Sequence, residues 1–217
     1  AGLQSAIGSR PVFLKQVHGS DVLALAGSTL DGLSADGSVT SQRHTACTVM
    51  VADCLPVLLC VEDGSMVAAA HAGWRGLAGA GPMAGKGILE AVVESFRPLA
   101  QVEPARAATK IIAWLGPCIG PSAFEVGAEV KAAFEYCHPE ASRFFAATGT
   151  GKFLADLPGL ARFRLQALGV TAIYGNDGSP PWCTVSNPSR FFSHRRDAAF
   201  GTTGNGFGNG FGTTGRM

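Results

Sequence analysis

The sequence has no long hydrophobic stretch and no segment that would direct the chain to a membrane. It contains no run of about 18 uninterrupted apolar residues, the length that a helix needs to span a bilayer. The N-terminus also lacks a basic segment followed by an apolar one, so no export signal is indicated. We therefore expect a cytoplasmic protein without a membrane partner.

Charged residues are few and nearly balanced. They make up 15% of the 217 residues, and the formal net charge is +1, so the sequence has no electrostatic bias toward nucleic acid. The six cysteines include no CxxC pair, which fits reduced thiols in a cytosol better than a disulfide framework. With 47% apolar residues, a chain of this length predicts a single globular domain of α/β or α+β type over residues 1–217.

Apolar periodicity predicts the main strands and helices. Two short strands joined by a turn are predicted within residues 11–25, and the apolar run at 46–61, the turn at 62–65 and the segment MVAAAHAGW predict a strand, hairpin, strand unit. Helices are predicted near residues 83–99, 127–137 and 156–168, and further strands at 110–116 and 170–175. The Gly-rich stretch 198–212 is predicted to be flexible.

Three short motifs each place a possible metal ligand where the backbone changes direction: KQVHG with His18, VADC with Cys54 and AAHAGWRG with His71. Each residue alone is more often structural than functional. Together, one cysteine and two histidines are what a catalytic zinc site with an open position requires. The same residues also permit another chemistry, with Cys54 as nucleophile and His71 as its base. Sequence spacing does not decide between the two.

Asp53 stands beside Cys54 in TVMVADCLPVLLC, an apolar run that reads as one buried strand with an ionisable pair at its middle. Pro56 indicates that the ladder is broken near the pair. If Cys54 binds a metal as a thiolate, Asp53 becomes a supporting or proton-relay group, and we predict it to be catalytic together with Cys54.

Three segments offer contacts for a substrate. In GWRG, two glycines would let backbone N–H groups approach a ligand, and Arg75 offers a planar fork for phosphate or carboxylate. The loop GPCIGPSAFEVG, which contains Cys118, lies between a predicted strand and a helix, a position that often holds anions. In FFSHRRD, an aromatic pair leads into Arg195 and Arg196, which suit stacking and anion contacts.

The motifs taken together resemble one family. The strings KQVHG, ADG.VT, ADCLPVLL, AHAGWRG, LGPCIGP.AFEVG.EV, FFSHRRD and TGRM stand in the order found in the bacterial laccase-domain (YfiH-like) proteins, which are related to the human laccase domain-containing protein. The resemblance covers nearly the whole chain. It implies an α+β fold in which mixed β-sheets are covered by helices in a layered α/β sandwich.

The resemblance also implies a function. Members of this family are understood as zinc-dependent purine nucleoside enzymes that phosphorolyse adenosine, inosine and 5′-methylthioadenosine to the free base and a pentose 1-phosphate, and that also deaminate adenosine. It assigns the metal ligands to His18, Cys54 and His71, and it makes a purine nucleoside and phosphate the partners. Arg75, Cys118, Arg195 and Arg196 are the predicted substrate-binding residues, and Arg75 is predicted to be catalytic as well. Family members usually carry a further N-terminal segment that contributes to the pocket, and we expect this chain to lack it.

The older label of the family, polyphenol oxidase, can be checked against the histidines. Multicopper oxidases bind four coppers largely through paired His-x-His motifs, whereas this chain has five histidines and no His-x-His. The sequence therefore disfavours a multicopper mechanism, although a Cys/His/His site can also bind copper and support slow phenol oxidation. A metal-independent Cys54/His71 thiol hydrolase and a non-catalytic binding module remain as alternatives.

Overall fold

The computed structural model describes residues 2–79, 85–96, 110–149 and 151–199. The helices are α1 (Gly2–Ile7), α2 (Trp74–Ala78), α3 (Ile88–Ser95), α4 (Ala128–Glu135), α5 (Leu157–Ala167) and α6 (His194–Ala199). The strands are β1 (Arg10–Val12), β2 (Val22–Ala24), β3 (Gly37–Thr40), β4 (Thr45–Cys47), β5 (Leu55–Val61), β6 (Val67–Ala72), β7 (Ile111–Leu115), β8 (Glu125–Val126), β9 (Phe145–Ala147), β10 (Phe153–Ala155) and β11 (Ala172–Gly175).

The central feature is a six-stranded mixed sheet in the order β11-β7-β5-β6-β3-β2. Its middle hairpin joins β5 and β6 antiparallel, from Leu55 opposite Ala72 to Cys60 opposite Val67. In β5, Val57 and Leu59 are buried whereas Leu58 between them is exposed, so the strand has the two-residue alternation of a sheet with one core face. The other strands of the described residues form a parallel pair, β1-β4, and an antiparallel sheet, β8-β10-β9.

Helices cover the core face of this sheet. Ile88, Leu89 and Val92 of α3 are fully buried, and α3 packs against β3 and β6. An ion pair between Arg164 of α5 and Glu90 of α3, 2.7 Å long, joins the two helices. The prediction of mixed sheets covered by helices is therefore confirmed. The single-domain prediction for residues 1–217 stays a prediction.

The prediction of one strand through residues 46–61 is wrong. The structure has two strands, β4 and β5, separated by a loop over residues 48–54. Asp53 in that loop has a φ of 96°, a backbone conformation that no strand contains. The loop is tied back to the preceding chain, because Gln16 donates to the carbonyl of Met50 and accepts from its N–H, both at 2.8 Å. Asp53 and Cys54 thus precede a strand instead of interrupting one.

The two short strands predicted within residues 11–25 correspond to β1 and β2, but β1 begins at Arg10, and the loop that contains His18 joins them instead of a turn. The remaining predicted elements are confirmed with shorter bounds. The hairpin unit, the strands at 110–116 and 170–175, and the helices at 127–137 and 156–168 are present as β5–β6, β7, β11, α4 and α5. The helix predicted at 83–99 is α3, and residues 83, 84 and 97–99 lie outside the described residues. Of the stretch 198–212, Ala198 and Ala199 belong to α6, and the rest lies outside the described residues. In the described part of the chain, no helix has the length and apolar character needed to cross a bilayer.

Candidate metal centre

His71 lies in β6, one residue before the end of the strand. Its side chain is 3% exposed, and its Nδ1 lies 2.7 Å from Oδ1 of Asp36, which is fully buried. The backbone carbonyl of Asp36 also accepts the backbone N–H of His71, at 2.7 Å. With Nδ1 engaged by the carboxylate, Nε2 is the ring nitrogen left for another partner.

Cys54 lies directly before β5, where the chain leaves the 48–54 loop. The register that pairs Leu55 with Ala72 brings Cys54 to the side of Gly73, the next residue along the partner strand. A Cβ at Gly73 would lie 2.9 Å from Sγ of Cys54 and 3.2 Å from Cδ2 of His18. Glycine at position 73 therefore leaves the space that the thiol and the imidazole occupy.

His18 lies in the loop between β1 and β2, with a φ of 61° in the left-handed region. Its side chain is exposed, and its ring centroid is 4.9 Å from that of His71. Asp36 holds the loop, because Oδ2 accepts the N–H groups of Val17 at 3.1 Å and Gly19 at 2.7 Å. Oδ1 accepts the N–H of His18 at 2.9 Å.

The structure brings the three predicted ligands together. His18, Cys54 and His71 offer ligand atoms that all lie within 4.8 Å of one another. One thiolate sulfur and two imidazole nitrogens are the donors of a catalytic zinc site with an open fourth position, and copper accepts the same donors. The cluster is therefore a possible metal site whose residues fit either metal.

The charges of the cluster are shifted toward ionised forms. Burial would raise the pKa of Cys54, but hydrogen bonds from His18 and His71 outweigh it and lower the pKa to about 7. Burial would lower the pKa of His71, but its hydrogen bonds to Asp36 and Cys54 raise the pKa to about 9. The pKa of Asp36 is likewise lowered, against its burial, by His71 and by the N–H groups of Gly19 and Val17. Without a metal, Cys54 and His71 thus form a thiolate–imidazolium pair near neutral pH.

Asp53 directs its carboxylate to the C-terminal part of the chain. Its Oδ1 accepts the hydroxyl of Thr184 at 2.6 Å, and its Oδ2 accepts the backbone N–H of Arg195 at 2.7 Å. Its carbonyl accepts the N–H of Ile119 at 2.9 Å. These contacts anchor two distant segments beside Cys54. The catalytic role predicted for Asp53 stays a prediction.

Arg75 is exposed near the start of α2, four residues after His71. Its Cζ lies 4.6 Å from the centroid of the Trp74 ring, a stacking arrangement that leaves the guanidinium N–H groups available to an anion. The predicted approach of the GWRG backbone to a ligand stays a prediction, but one of its glycines has a packing role. A Cβ at Gly76 would lie 2.5 Å from the carbonyl oxygen of Gly19, so glycine lets α2 pack directly against the His18 loop.

Cys118 follows β7 and is fully buried. Its Sγ donates to the carbonyl of Ile119 and accepts from Nδ2 of Asn176, both at 3.4 Å, and its backbone forms a bridge with Cys183. Burial raises the pKa of Cys118 well above its ordinary value, despite the hydrogen bond from Asn176. The geometry gives the predicted substrate-binding role of Cys118 no support, because its sulfur has no exposed surface.

Arg195 and Arg196 lie in α6, and each side chain already has protein partners. Arg195 donates to the carbonyl of Glu125 at 3.2 Å, and its Cζ lies 5.9 Å from the ring centroid of Phe124. The guanidinium of Arg196 donates to the carbonyls of Thr184 and Phe191 and to the carboxylate of Asp197, at 2.9, 3.1 and 2.9 Å. Arg196 thus holds the loop before α6. The substrate contacts predicted for both arginines stay predictions.

Sequence reasoning missed Asp36 as a residue of this centre. It is the acid of the ADG.VT string, yet its side chain contacts both histidine segments. A signal was present, because histidine ligands of metals commonly donate their second ring N–H to a carboxylate. The three ligand motifs contain one carboxylate, Asp53, and no pattern along the chain points to Asp36 instead.

Known proteins are similar to this chain in sequence over most of its length. A family model described as multi-copper polyphenol oxidoreductase laccase matches residues 2–208. Purine nucleoside phosphorylase YfiH of Escherichia coli (strain K12) is 47% identical over 193 residues, which cover 89% of this chain and 71% of that protein. Purine nucleoside phosphorylase PA4543 of Pseudomonas aeruginosa is 46% identical over 193 residues, which cover 88% and 71% of the two chains.

Solved structures are similar to this chain in fold. Neisseria meningitidis protein NMB0706 superposes with a TM-score of 0.74 and 43% sequence identity, over 91% of this chain and 74% of that one. YlmD from Geobacillus stearothermophilus superposes with a TM-score of 0.76 and 28% identity, over 90% of this chain and 73% of that one.

Proposed function

The chain belongs to the multi-copper polyphenol oxidoreductase laccase family, and from this premise we propose that it is a zinc-dependent purine nucleoside phosphorylase. One observation carries the proposal: the Cys/His/His cluster lies in a chain that is 47% identical to a protein named purine nucleoside phosphorylase. The substrates we propose are adenosine, inosine and 5′-methylthioadenosine, with phosphate as the second substrate. Deamination of adenosine is proposed as a further activity of the same site.

His18, Cys54 and His71 would hold the zinc ion. When bound, zinc supplies a Lewis acid that polarises a substrate oxygen or lowers the pKa of water. In phosphorolysis, a phosphate oxygen forms a bond to C1′ of the ribose while the C1′–N9 bond breaks, and the departing base takes up a proton. The chain must therefore hold an anion next to the sugar.

Of the three arginines predicted to bind substrate, Arg75 is the best suited to hold phosphate. Its guanidinium stacks on Trp74, whereas that of Arg196 donates to two carbonyls and a carboxylate. Charge-assisted hydrogen bonds to a phosphate are about twice as strong as neutral ones. We propose that Arg75 contacts the attacking phosphate.

The proposal is tested by metal analysis of the purified chain together with chromatography of adenosine incubated with and without phosphate. Adenine that forms only with phosphate supports phosphorolysis, and inosine in either condition supports deamination. The variant Arg75→Ala should raise the KM for phosphate. The matched control is Arg143→Ala, which should leave the KM unchanged. Arg143 is also exposed, and its Cζ lies 4.9 Å from the centroid of the Phe144 ring. A protein that binds zinc and adenosine but releases no product would be a binding module, which overturns the proposal.

A second candidate, a thiol hydrolase, is favoured by one specific contact. His71 bonds Asp36 through Nδ1 and hydrogen-bonds Cys54, the order of nucleophile, base and carboxylate found in cysteine hydrolases. Removal of metal with a chelator separates the two candidates. Activity that survives complete removal of zinc, but is lost on alkylation of Cys54, would favour the hydrolase. Slow phenol oxidation after copper loading would identify the oxidase alternative instead.

A further inference from the structure

We infer that Asp36 is the positioning residue of the proposed metal site, and that its single carboxylate fixes both histidine ligands. The inference rests on the proposed function, because it concerns the same His18, Cys54 and His71 cluster. Asp36 does not itself offer a ligand atom to that cluster. The two histidines that it contacts lie in different parts of the fold, His71 in strand β6 and His18 in the loop between β1 and β2.

The first contact fixes the protonated nitrogen of His71. The 2.7 Å contact of Nδ1 with Oδ1 of Asp36 joins two side chains that are both buried, so water does not compete for the N–H. A neutral imidazole that donates from Nδ1 carries its lone pair on Nε2. Asp36 therefore selects the form of His71 that can bind a metal through Nε2, and it sets the orientation of the ring.

The second contact fixes the backbone of the His18 loop. Three consecutive N–H groups, those of Val17, His18 and Gly19, converge on the same carboxylate. His18 adopts a φ of 61° within this turn, a conformation that is unusual for a side chain larger than glycine and needs support from its surroundings. The carboxylate of Asp36 supplies that support, and the exposed ring of His18 is thereby held beside His71.

Because one carboxylate holds both ligands, loss of its charge should disturb both together. The donors form two groups, since Oδ1 accepts from His71 and His18 and Oδ2 accepts from Val17 and Gly19. In Asp36→Asn, the amide oxygen can still accept from one group, but the amide NH₂ then faces the N–H groups of the other. Either orientation disturbs the His18 loop, and the one that places NH₂ at the position of Oδ1 also releases Nδ1 of His71. Loss of a partner of this kind typically lowers metal affinity roughly 10- to 100-fold.

The experiment measures zinc affinity of the full chain by competition with a chelator. We expect Asp36→Asn to bind zinc roughly 10- to 100-fold more weakly than the unaltered protein. The control is Asp31→Asn, which alters an exposed carboxylate that accepts the N–H of Phe13 at 3.0 Å and should leave the affinity unchanged. Thermal unfolding of each metal-free variant establishes that it is folded. A folded Asp36→Asn protein with unaltered zinc affinity would overturn the inference.

A second measurement uses the unaltered protein and requires no enzyme assay. Nitrogen NMR of the imidazoles in the zinc-loaded protein locates the ring proton of His71, which should be on Nδ1. A proton on Nε2, with the metal on Nδ1, would overturn the inference even if Asp36→Asn fails to fold. An unaltered protein that binds no zinc would instead overturn the proposed function.

Discussion

Cys54 and Cys118 are the same residue type in two predicted site motifs, yet their surroundings give them opposite chemistry. Cys54 has two imidazoles as neighbours, and its pKa falls to about 7. Cys118 has an amide, a carbonyl and apolar packing around it, and burial raises its pKa far above the ordinary value. Burial opposes ionisation at both thiols. The partners that stabilise a negative charge, and not the depth of the sulfur, decide which cysteine can bind a metal or act as a nucleophile.

The largest expected effect comes from replacing each of these cysteines by alanine. Cys54→Ala should abolish zinc binding and nucleoside phosphorolysis, because a three-ligand site loses its only anionic donor. Cys118→Ala should bind zinc normally and lose about 1 kcal/mol of unfolding free energy from the small cavity. Zinc competition and denaturant unfolding measure the two quantities. A folded Cys118→Ala protein that no longer binds zinc would place Cys118 in the site after all.

A smaller effect is expected from a methyl group placed beside the reactive sulfur. Gly73 has a φ of −66°, which any residue adopts, so Gly73→Ala adds crowding without backbone strain. Its Cβ would lie 2.9 Å from Sγ of Cys54, and we expect zinc affinity to fall roughly tenfold as the thiol shifts.

Gly120→Ala is the matched variant for the other cysteine region. Its Cβ would lie 3.1 Å from Sγ of Cys183, the bridge partner of Cys118. It should lower the midpoint of thermal unfolding and leave zinc affinity unchanged. Equal effects of the two glycine variants on zinc would contradict the separation of the two regions.

The titration of Cys54 gives the third test, on metal-free protein. Alkylation by iodoacetamide should accelerate as pH rises through about 7, where Cys54 becomes a thiolate. Below that pH the thiol is protonated and reaction should slow about tenfold per pH unit. Cys118 should remain unmodified at these pH values while the protein is folded. Mass spectrometry of the modified peptides distinguishes the two, and Cys54→Ala should lack the fast phase.

The smallest effect is expected from the residue next to Cys54 in the chain. Asp53→Asn weakens contacts with Thr184 and the backbone of Arg195, so we expect about 1 to 2 kcal/mol lower unfolding free energy. The alkylation midpoint of Cys54 should stay near 7, because its pKa depends on the histidines. A large shift of that midpoint would make Asp53 part of the titrating cluster, as the predicted proton relay requires.

Much of the fold could be predicted because local patterns and tertiary packing agree. Buried Val57 and Leu59 alternate with less buried neighbours in β5, and Ile88 and Val92 are buried on one face of α3. Pro56 indicated a break near Asp53, but the loop over residues 48–54 could not be predicted, because it is tied to Gln16, a residue more than thirty positions earlier. An apolar loop and an apolar strand look alike in sequence.

The candidate site was only partly accessible to sequence reasoning. The resemblance named His18, Cys54 and His71, whereas spacing alone left their grouping open. Asp36 escaped notice because its contact with His71 exists only once β3 pairs with β6, Ser38 opposite Ala69. Sequence predicted substrate binding for both Arg75 and Arg196, without the contacts that distinguish them. Their partners separate them, a stacked ring for one and two carbonyls for the other.

The three ligand residues and Asp36 all fall between positions 18 and 71, and the strands that carry or flank them, β2, β3, β5 and β6, end at Ala72. On a ribosome, which releases the chain from its N-terminus, every metal donor leaves the ribosome before β7 does. Contacts within this segment close short loops, which form faster than pairings across the whole chain. A metal ion that binds these donors would therefore meet all of them before β7 joins the sheet.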